Sequence, residues 1–259
     1  MASTNSQPVA PLVMIYTGVN IQSIDRDPNN GRNVVSVGLV TMDDSGNELH
    51  RRKFSFAFTA DEVHPKRREW LNGQPDVLDR WLADSRASFN EIASGRRESF
   101  PSEPNFDNPI HRDIVNRIVR QQLTDYLREL ELTYSKLNGY SAYRLVSDAP
   151  QYHVARIEPL VFPTRGTQMM YQAYPDFSKP EGYSSEYTAC AINPDTEYRA
   201  WLGEPDRQWS FGSELAKRLG VTLESAEIAF DSLSSARMVV ANYITLSNAM
   251  KPRVRAMWA

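Results

Sequence analysis

Leu12-Val13-Met14-Ile15-Tyr16-Thr17-Gly18-Val19-Asn20-Ile21-Gln22-Ser23 is followed, after a polar break, by Val34-Val35-Ser36-Val37-Gly38-Leu39-Val40. Runs rich in Val, Ile and Leu, bounded by turn residues, are strands. The break, Asp25-Arg26-Asp27-Pro28-Asn29-Asn30-Gly31, has the composition of a loop. Asp43-Asp44-Ser45-Gly46-Asn47 predicts a hairpin turn. A third strand from about Glu48 to Phe58 follows, with Phe54, Phe56 and Phe58 on one face and Ser55 and Ala57 on the other. The economical arrangement is an antiparallel meander of three strands.

Downstream, Glu69-Trp70-Leu71-Asn72-Gly73-Gln74-Pro75 leads into a helical pattern through Val77, Leu78, Trp81 and Leu82, with Pro75 suited to a first turn. A loop from Phe100 to Pro109 precedes a long helix expected from about Ile110 to Leu137. There Ile114, Ile118, Leu123, Leu127 and Leu130 follow the helical period, and Asn138-Gly139 is a stop. Tyr143 to Val146 is a short strand, and Gln151 to Leu160 a short helix. Residues 163–210 are aromatic and interrupted by Pro, an irregular insertion with a strand expected at Gln168 to Ala173. The last helix is expected from Thr222 to Asn248, with Thr222-x-x-Ser225 as its cap. Met1 to Pro11 is polar and reads as a flexible tail, and residues 12–259 as a single domain. The fold class is α/β (α+β), a mixed central sheet with flanking helices.

The opening pair of strands resembles the start of a DEDDh 3'-5' exonuclease of the ribonuclease T and proofreading-subunit kind. In that family the first strand ends in Asp-x-Glu and the next reads Ser-Ile-Gly-x-Val; here Asn20 and Gln22 stand at the acidic positions. The family's second motif places an Asp after a polar-aromatic run. In Ser147-Asp148-Ala149-Pro150-Gln151-Tyr152-His153 that place is taken by His153. The third motif is similar to Glu227-Ile228-Ala229-Phe230-Asp231-Ser232-Leu233-Ser234-Ser235-Ala236, where Glu227 replaces the general-base His and Ser232 the metal-binding Asp. Asp231 lies next door, about 100° away on a helix of 3.6 residues per turn. The resemblance spans roughly residues 12–60, 112–160 and 218–250. It implies a ribonuclease H-like exonuclease fold with a vestigial site at Asn20, Gln22, His153, Glu227 and Ser232. Two-metal phosphoryl chemistry needs several carboxylates to hold hard divalent ions about 4 Å apart, and amides and a hydroxyl do not balance that charge. No metal, no cofactor and no catalysis are therefore expected.

Composition bounds the rest. The 259 residues are 41% hydrophobic and 24% charged, enough for a sizeable soluble core. No apolar run reaches the ~20 residues of a membrane span, and the polar start lacks a signal peptide's apolar core. The lone Cys190 excludes a disulfide framework and a Cys-rich zinc site, so a reducing, cytoplasmic setting is expected, a host's cytoplasm if the chain is viral. With 29 basic and 32 acidic residues the formal charge is −3, against direct nucleic-acid binding. The short runs His64-Pro65-Lys66-Arg67-Arg68 and Arg51-Arg52-Lys53 read as surface charge. No Gly-rich phosphate loop or Gly-x-Ser-x-Gly elbow is present.

Acidic groups are the candidates for binding. Glu224, Glu227 and Asp231 form a stripe at i, i+3 and i+7 of the expected last helix; Asp125 and Glu129 stand at i and i+4 of the long one. Size, mild acidity and a substituted site are together similar to phage-encoded inhibitors of the host RNA degradosome. That similarity implies a homodimer whose acidic patches occlude basic RNA-binding segments of a host ribonuclease such as ribonuclease E, fast and salt-sensitively. Two other readings stay open. One is an active metal-dependent 3'-5' exonuclease with shifted motifs, using Asp148, Glu158, Glu227 and Asp231; the other is a structural virion protein.

Overall fold

The computed structural model describes residues 13–24, 33–134, 143–149, 152–153, 156–157, 160, 192–202 and 211–257. The loop at 25–31, the stop at Asn138-Gly139, the strand expected at 168–173, Cys190, Glu158, Trp209 and Trp258 lie outside them.

Strands β1 (Ile15–Ser23), β2 (Val34–Asp43) and β3 (Glu48–Ser55) form the expected antiparallel meander. Its hairpin turn is closed by Asp43, whose carboxylate accepts the Ser45 and Asn47 N–H groups, each at 2.9 Å, with Gly46 at φ 88°. A fourth strand, β4 (Tyr143–Val146), pairs parallel to β1, giving the order β3-β2-β1-β4, and a parallel bridge from Val146 to Ile192 extends it. The result is a mixed sheet with helices on both faces, the α+β architecture expected.

Alternation assigns the two faces. Val19, Ile21, Val37, Leu39 and Phe54 point to one side. There Phe89 and Ile92 of α2 (Pro75–Gly95) and Val115, Val119, Leu123 and Leu127 of α3 (Pro109–Tyr134) cover them. Tyr16, Val40 and Met42 point to the other side, against Ala236, Val240, Tyr243 and Ile244 of α6 (Ser232–Met257). Two shorter helices, α4 (Pro194–Leu202) and α5 (Phe211–Leu219), add Tyr198 and Leu215 to that layer. A third cluster joins Phe58 and Trp81 to Leu71 of α1 (Pro65–Asn72). No helix among the described residues is long and apolar enough to cross a membrane.

Two expectations need correction. The third strand stops at Ser55 instead of running to Phe58. Helix side chains take over its backbone bonds there: Asn116 exchanges two with Ala57 (2.7 and 2.9 Å) and Ser85 two with Phe58 (2.9 and 3.2 Å). Phe58 consequently leaves the face of Phe54 and Phe56 for the third cluster, and Ala57 is buried beside those two. The basic run at His64 is exposed apart from the half-buried Arg67, as expected of surface charge, and it opens α1, with the Lys66 N–H donating to His64 Nδ1. Finally, the last helix begins at Ser232, not Thr222, so Thr222-x-x-Ser225 caps nothing.

Candidate functional site

The register of the meander fixes the floor of the site. Asn20 pairs with Gly38 and Gly38 with Lys53; Gln22 pairs with Ser36 and Ser36 with Ser55. Cross-strand partners share a face, so all of these sit under the start of α6. That helix comes down onto backbone. A Cβ at Gly38 would stand 2.2 Å from the Ser232 carbonyl, and one at Gly18 2.2 Å from the Ala236 carbonyl oxygen. Only glycine permits this approach.

On the floor, Gln22 Nε2 donates to Asn20 Oδ1 at 3.0 Å, and the Ser36 and Ser232 hydroxyls lie 2.9 Å apart, all four side chains buried. Beside them, Asp231 ends the segment entering α6. Its Oδ1 accepts the Ser234 N–H at 2.9 Å and its carbonyl the Ser235 N–H at 3.0 Å, which makes Asp231 the N-cap. Phe230, just before it, has φ 55°, a strained conformation for a bulky side chain. It is held there from three sides. Trp81 Nε1 donates to its carbonyl at 3.0 Å, its ring packs edge-on to Trp70, and Arg80 binds the neighbouring Ala229 carbonyl.

The Lys53 ammonium closes the site. It donates to Asp84 Oδ2 at 2.6 Å and to Asp231 Oδ2. Burial disfavours the charged lysine, yet the hydrogen bonds and charges of Asp231 and Asp84 outweigh it and raise its pKa. Burial likewise pushes the Asp231 carboxyl up, but Lys53 and the Ser234 and Leu233 amides hold it below its ordinary value. Lys53 and Asp84 also line a cleft of about 310 Å³ between β3, α2 and α3, with Phe54, Ser88, Glu91 and Ile92.

Of the five positions matched to the exonuclease motifs, the structure brings Asn20, Gln22 and Ser232 together. His153 is buried at the end of β4, its Nδ1 3.1 Å from Ser147 Oγ and 3.3 Å from Asp148 Oδ1. Glu227 is 70% exposed at a bend, 4.0 Å from Arg237. The acidic stripe is not formed, because residues 222–231 are not helical. Glu224 pairs with Arg237, and Asp231, buried against Lys53, is not offered to a partner. Asp125 and Glu129 do share an exposed face of α3, where Asp125 accepts from Gln121 at 2.9 Å. The acidic residues of the shifted-motif nuclease are each engaged separately where described: Asp148 with His153, Asp231 with Lys53, Glu227 near Arg237.

Sequence reasoning missed Lys53 and Asp84. The Asp43–Asn47 turn alone does not reveal Lys53: a bulge between Thr41 and Met42 shifts the β2–β3 register by one residue, and it is this shift that sets Lys53, not Arg52, opposite Gly38, level with Asn20. Asp84 carried no local signal.

Two hard divalent ions do not fit this residue set. The Asn20 oxygen is already an acceptor, Ser232 is paired with Ser36, and the Asp231 carboxylate is divided between an ammonium and a helix N-terminus. Among the described residues no group of three or more His, Cys, Asp or Glu side chains converges as a metal site.

No protein-family model matches the chain. No characterised protein matches it in sequence. Among solved structures it is similar to cell-death related nuclease 4 (CRN-4), at TM-score 0.45 and 12% identity, over 92% of this chain. The chain spans 64% of that nuclease's length. A likeness of this size bears no weight for the chemistry; the fold rests on strand order and register.

Proposed function

We propose that this chain is a catalytically inactive protein on an exonuclease-like scaffold, acting by binding another protein. The observation that carries the reading is the neutral floor: an amide pair, Asn20 with Gln22, and a hydroxyl pair, Ser36 with Ser232, stand where phosphoryl transfer needs metal-holding carboxylates. In size, acidity and substituted site the chain resembles the degradosome-interacting protein of giant Pseudomonas phages. On that likeness it is a dimeric, phage-encoded inhibitor that covers basic RNA-binding segments of host ribonuclease E. Asp125 and Glu129 on α3 supply one exposed acidic face; Glu224 and Glu227, sharing Arg237, lie on the other side of the sheet.

Two assays test it. A fluorescently labelled arginine-rich segment of ribonuclease E is titrated with the protein at low salt and again at ~0.5 M salt, where the screening length is a few ångströms. Binding that displaces RNA and collapses at high salt is expected. Absence of binding at low salt overturns the proposed partner. Separately, loss of 3'-terminal nucleotides from a labelled oligonucleotide in Mn2+ would overturn the inactive reading.

A further inference from the structure

We infer that the cation of this site is built into the chain: the Lys53 ammonium occupies the one point where a positive charge is needed, and it docks α6. The inference rests on the reading of the site as one that works without catalytic metals. Three elements meet at this nitrogen: β3 supplies Lys53, α2 supplies Asp84, and the cap of α6 supplies Asp231. Nζ makes a charge-assisted hydrogen bond to one oxygen of each carboxylate, at 2.6 Å to Asp84, and so lies between the two. The ammonium thus stands where a hard cation bridging these two carboxylates would stand.

One positive charge against two negative ones is enough here because each carboxylate has a second source of stabilisation. Asp231 takes N–H groups and the positive end of the α6 dipole. Asp84 keeps its side chain 36% exposed to water. The chain also has no freedom to withdraw the lysine. Its register with Gly38 places it under the helix start, and the anchoring of Phe230 by Trp81 fixes Asp231 above it. A lysine tethered by its own backbone cannot be removed by chelation, so α6 stays docked with no ion present.

Thermal unfolding of the full chain, in EDTA and in millimolar Mn2+ or Ca2+, tests this. The wild type is expected to melt at the same temperature in all three. Lys53→Ala is expected to melt roughly 5–10 °C lower in EDTA, since removing one partner leaves two carboxylates facing each other. Divalent ions should then recover several degrees, while sodium at matched ionic strength recovers none. Adding Asp84→Asn and Asp231→Asn to Lys53→Ala should abolish that recovery. A Lys53→Ala protein with no divalent response, or a wild type that gains as much as the variant, overturns the inference. Should Lys53→Ala not fold in EDTA, refolding from denaturant decides: folding in Mn2+ alone supports it, and failure in both overturns it. Loss of ribonuclease E binding with the Lys53→Ala recovery intact would sink only the proposed partner.

Discussion

Gly38→Ala probes the contact on which the site is built. The added methyl carbon would stand 2.2 Å from the carbonyl carbon and oxygen of Ser232 and 2.4 Å from the Leu233 nitrogen. These are backbone atoms of a helix and cannot swing aside. Carbon and oxygen tolerate little under ~3.2 Å, so the start of α6 must lift by about 1 Å; a gap of that size forfeits a quarter to half of each dispersion contact it opens. Leu233, Ala236 and Val240 face the sheet at that end, and losing about a third of their burial energy costs ~2 kcal/mol. The Ser36–Ser232 bond, now 2.9 Å, stretches beyond hydrogen-bonding range for a further ~1 kcal/mol. We expect a loss of ~3 kcal/mol, read as a lower urea midpoint at unchanged m-value and a melting temperature roughly 10 °C lower. Gly95→Ala is the control. It closes α2 where a Cβ meets nothing within 4 Å, and it should be neutral or stabilising by up to ~1 kcal/mol. A Gly38→Ala protein as stable as the Gly95→Ala control would refute the close approach of α6 to β2 and, with it, the floor of the site.

Ser85→Ala leaves both backbone groups of Phe58 without their partner, and should cost about 1–3 kcal/mol by urea denaturation; a loss under ~0.5 kcal/mol would show that water or another group replaces the hydroxyl. Asn20→Asp with Gln22→Glu places two buried carboxylates at amide-pair distance, for a predicted cost of roughly 2–4 kcal/mol at pH 8 and less at pH 5, where they share a proton. Equal midpoints at the two pH values would contradict this. Acid should unfold the protein partly through Asp231 and Asp43, whose carboxyls are held below their ordinary value of 3.8 in the folded chain. The unfolded chain then binds protons first, so their contribution is complete above that value and disappears as the pH falls through the lower folded one. Glu197 works in the opposite sense: burial raises its pKa despite its bond from Tyr243, so its protonation favours the folded chain. Asp231→Asn should flatten the stability curve below pH ~4, and an unaltered acid slope would rule out the Lys53 pair as its source.

How much of this was legible depended on whether the signal was local. The meander was, because the alternation of Val19, Ile21, Val37 and Leu39 and the Asp43–Asn47 turn are properties of the strands themselves. So was α3, whose apolar stripe needs no knowledge of its partners. The ends of elements were not. β3 stops at Ser55 because Asn116 and Ser85, distant in sequence, satisfy the next backbone groups. Thr222-x-x-Ser225 has the letters of a cap, but Asp231 is the residue that captures the free amides. Lys53 and Asp84 needed the register of two strands and the packing of a helix together, and a basic triplet on a strand otherwise reads as surface.

The entry to α6 also changes what the third motif means. On a continuous helix, Asp231 and Ser232 would point about 100° apart and only one could face the floor. Here Asp231 is a cap and Ser232 the first helical residue, and the positive φ at Phe230 turns the chain so that both engage the sheet. Asp231 meets Lys53 of β3, and Ser232 meets Ser36 of β2. An acidic residue displaced by one position is thereby drawn into an internal ion pair. The arrangement shows why a floor without carboxylates is compatible with the fold. Side-by-side carboxylates repel unless a metal sits between them, whereas amide and hydroxyl pairs satisfy one another without any ion. The start of the last helix is held by glycine contacts and one lysine. On the inference that the docking of α6 needs no metal, removing Lys53 is the change that should make it depend on one.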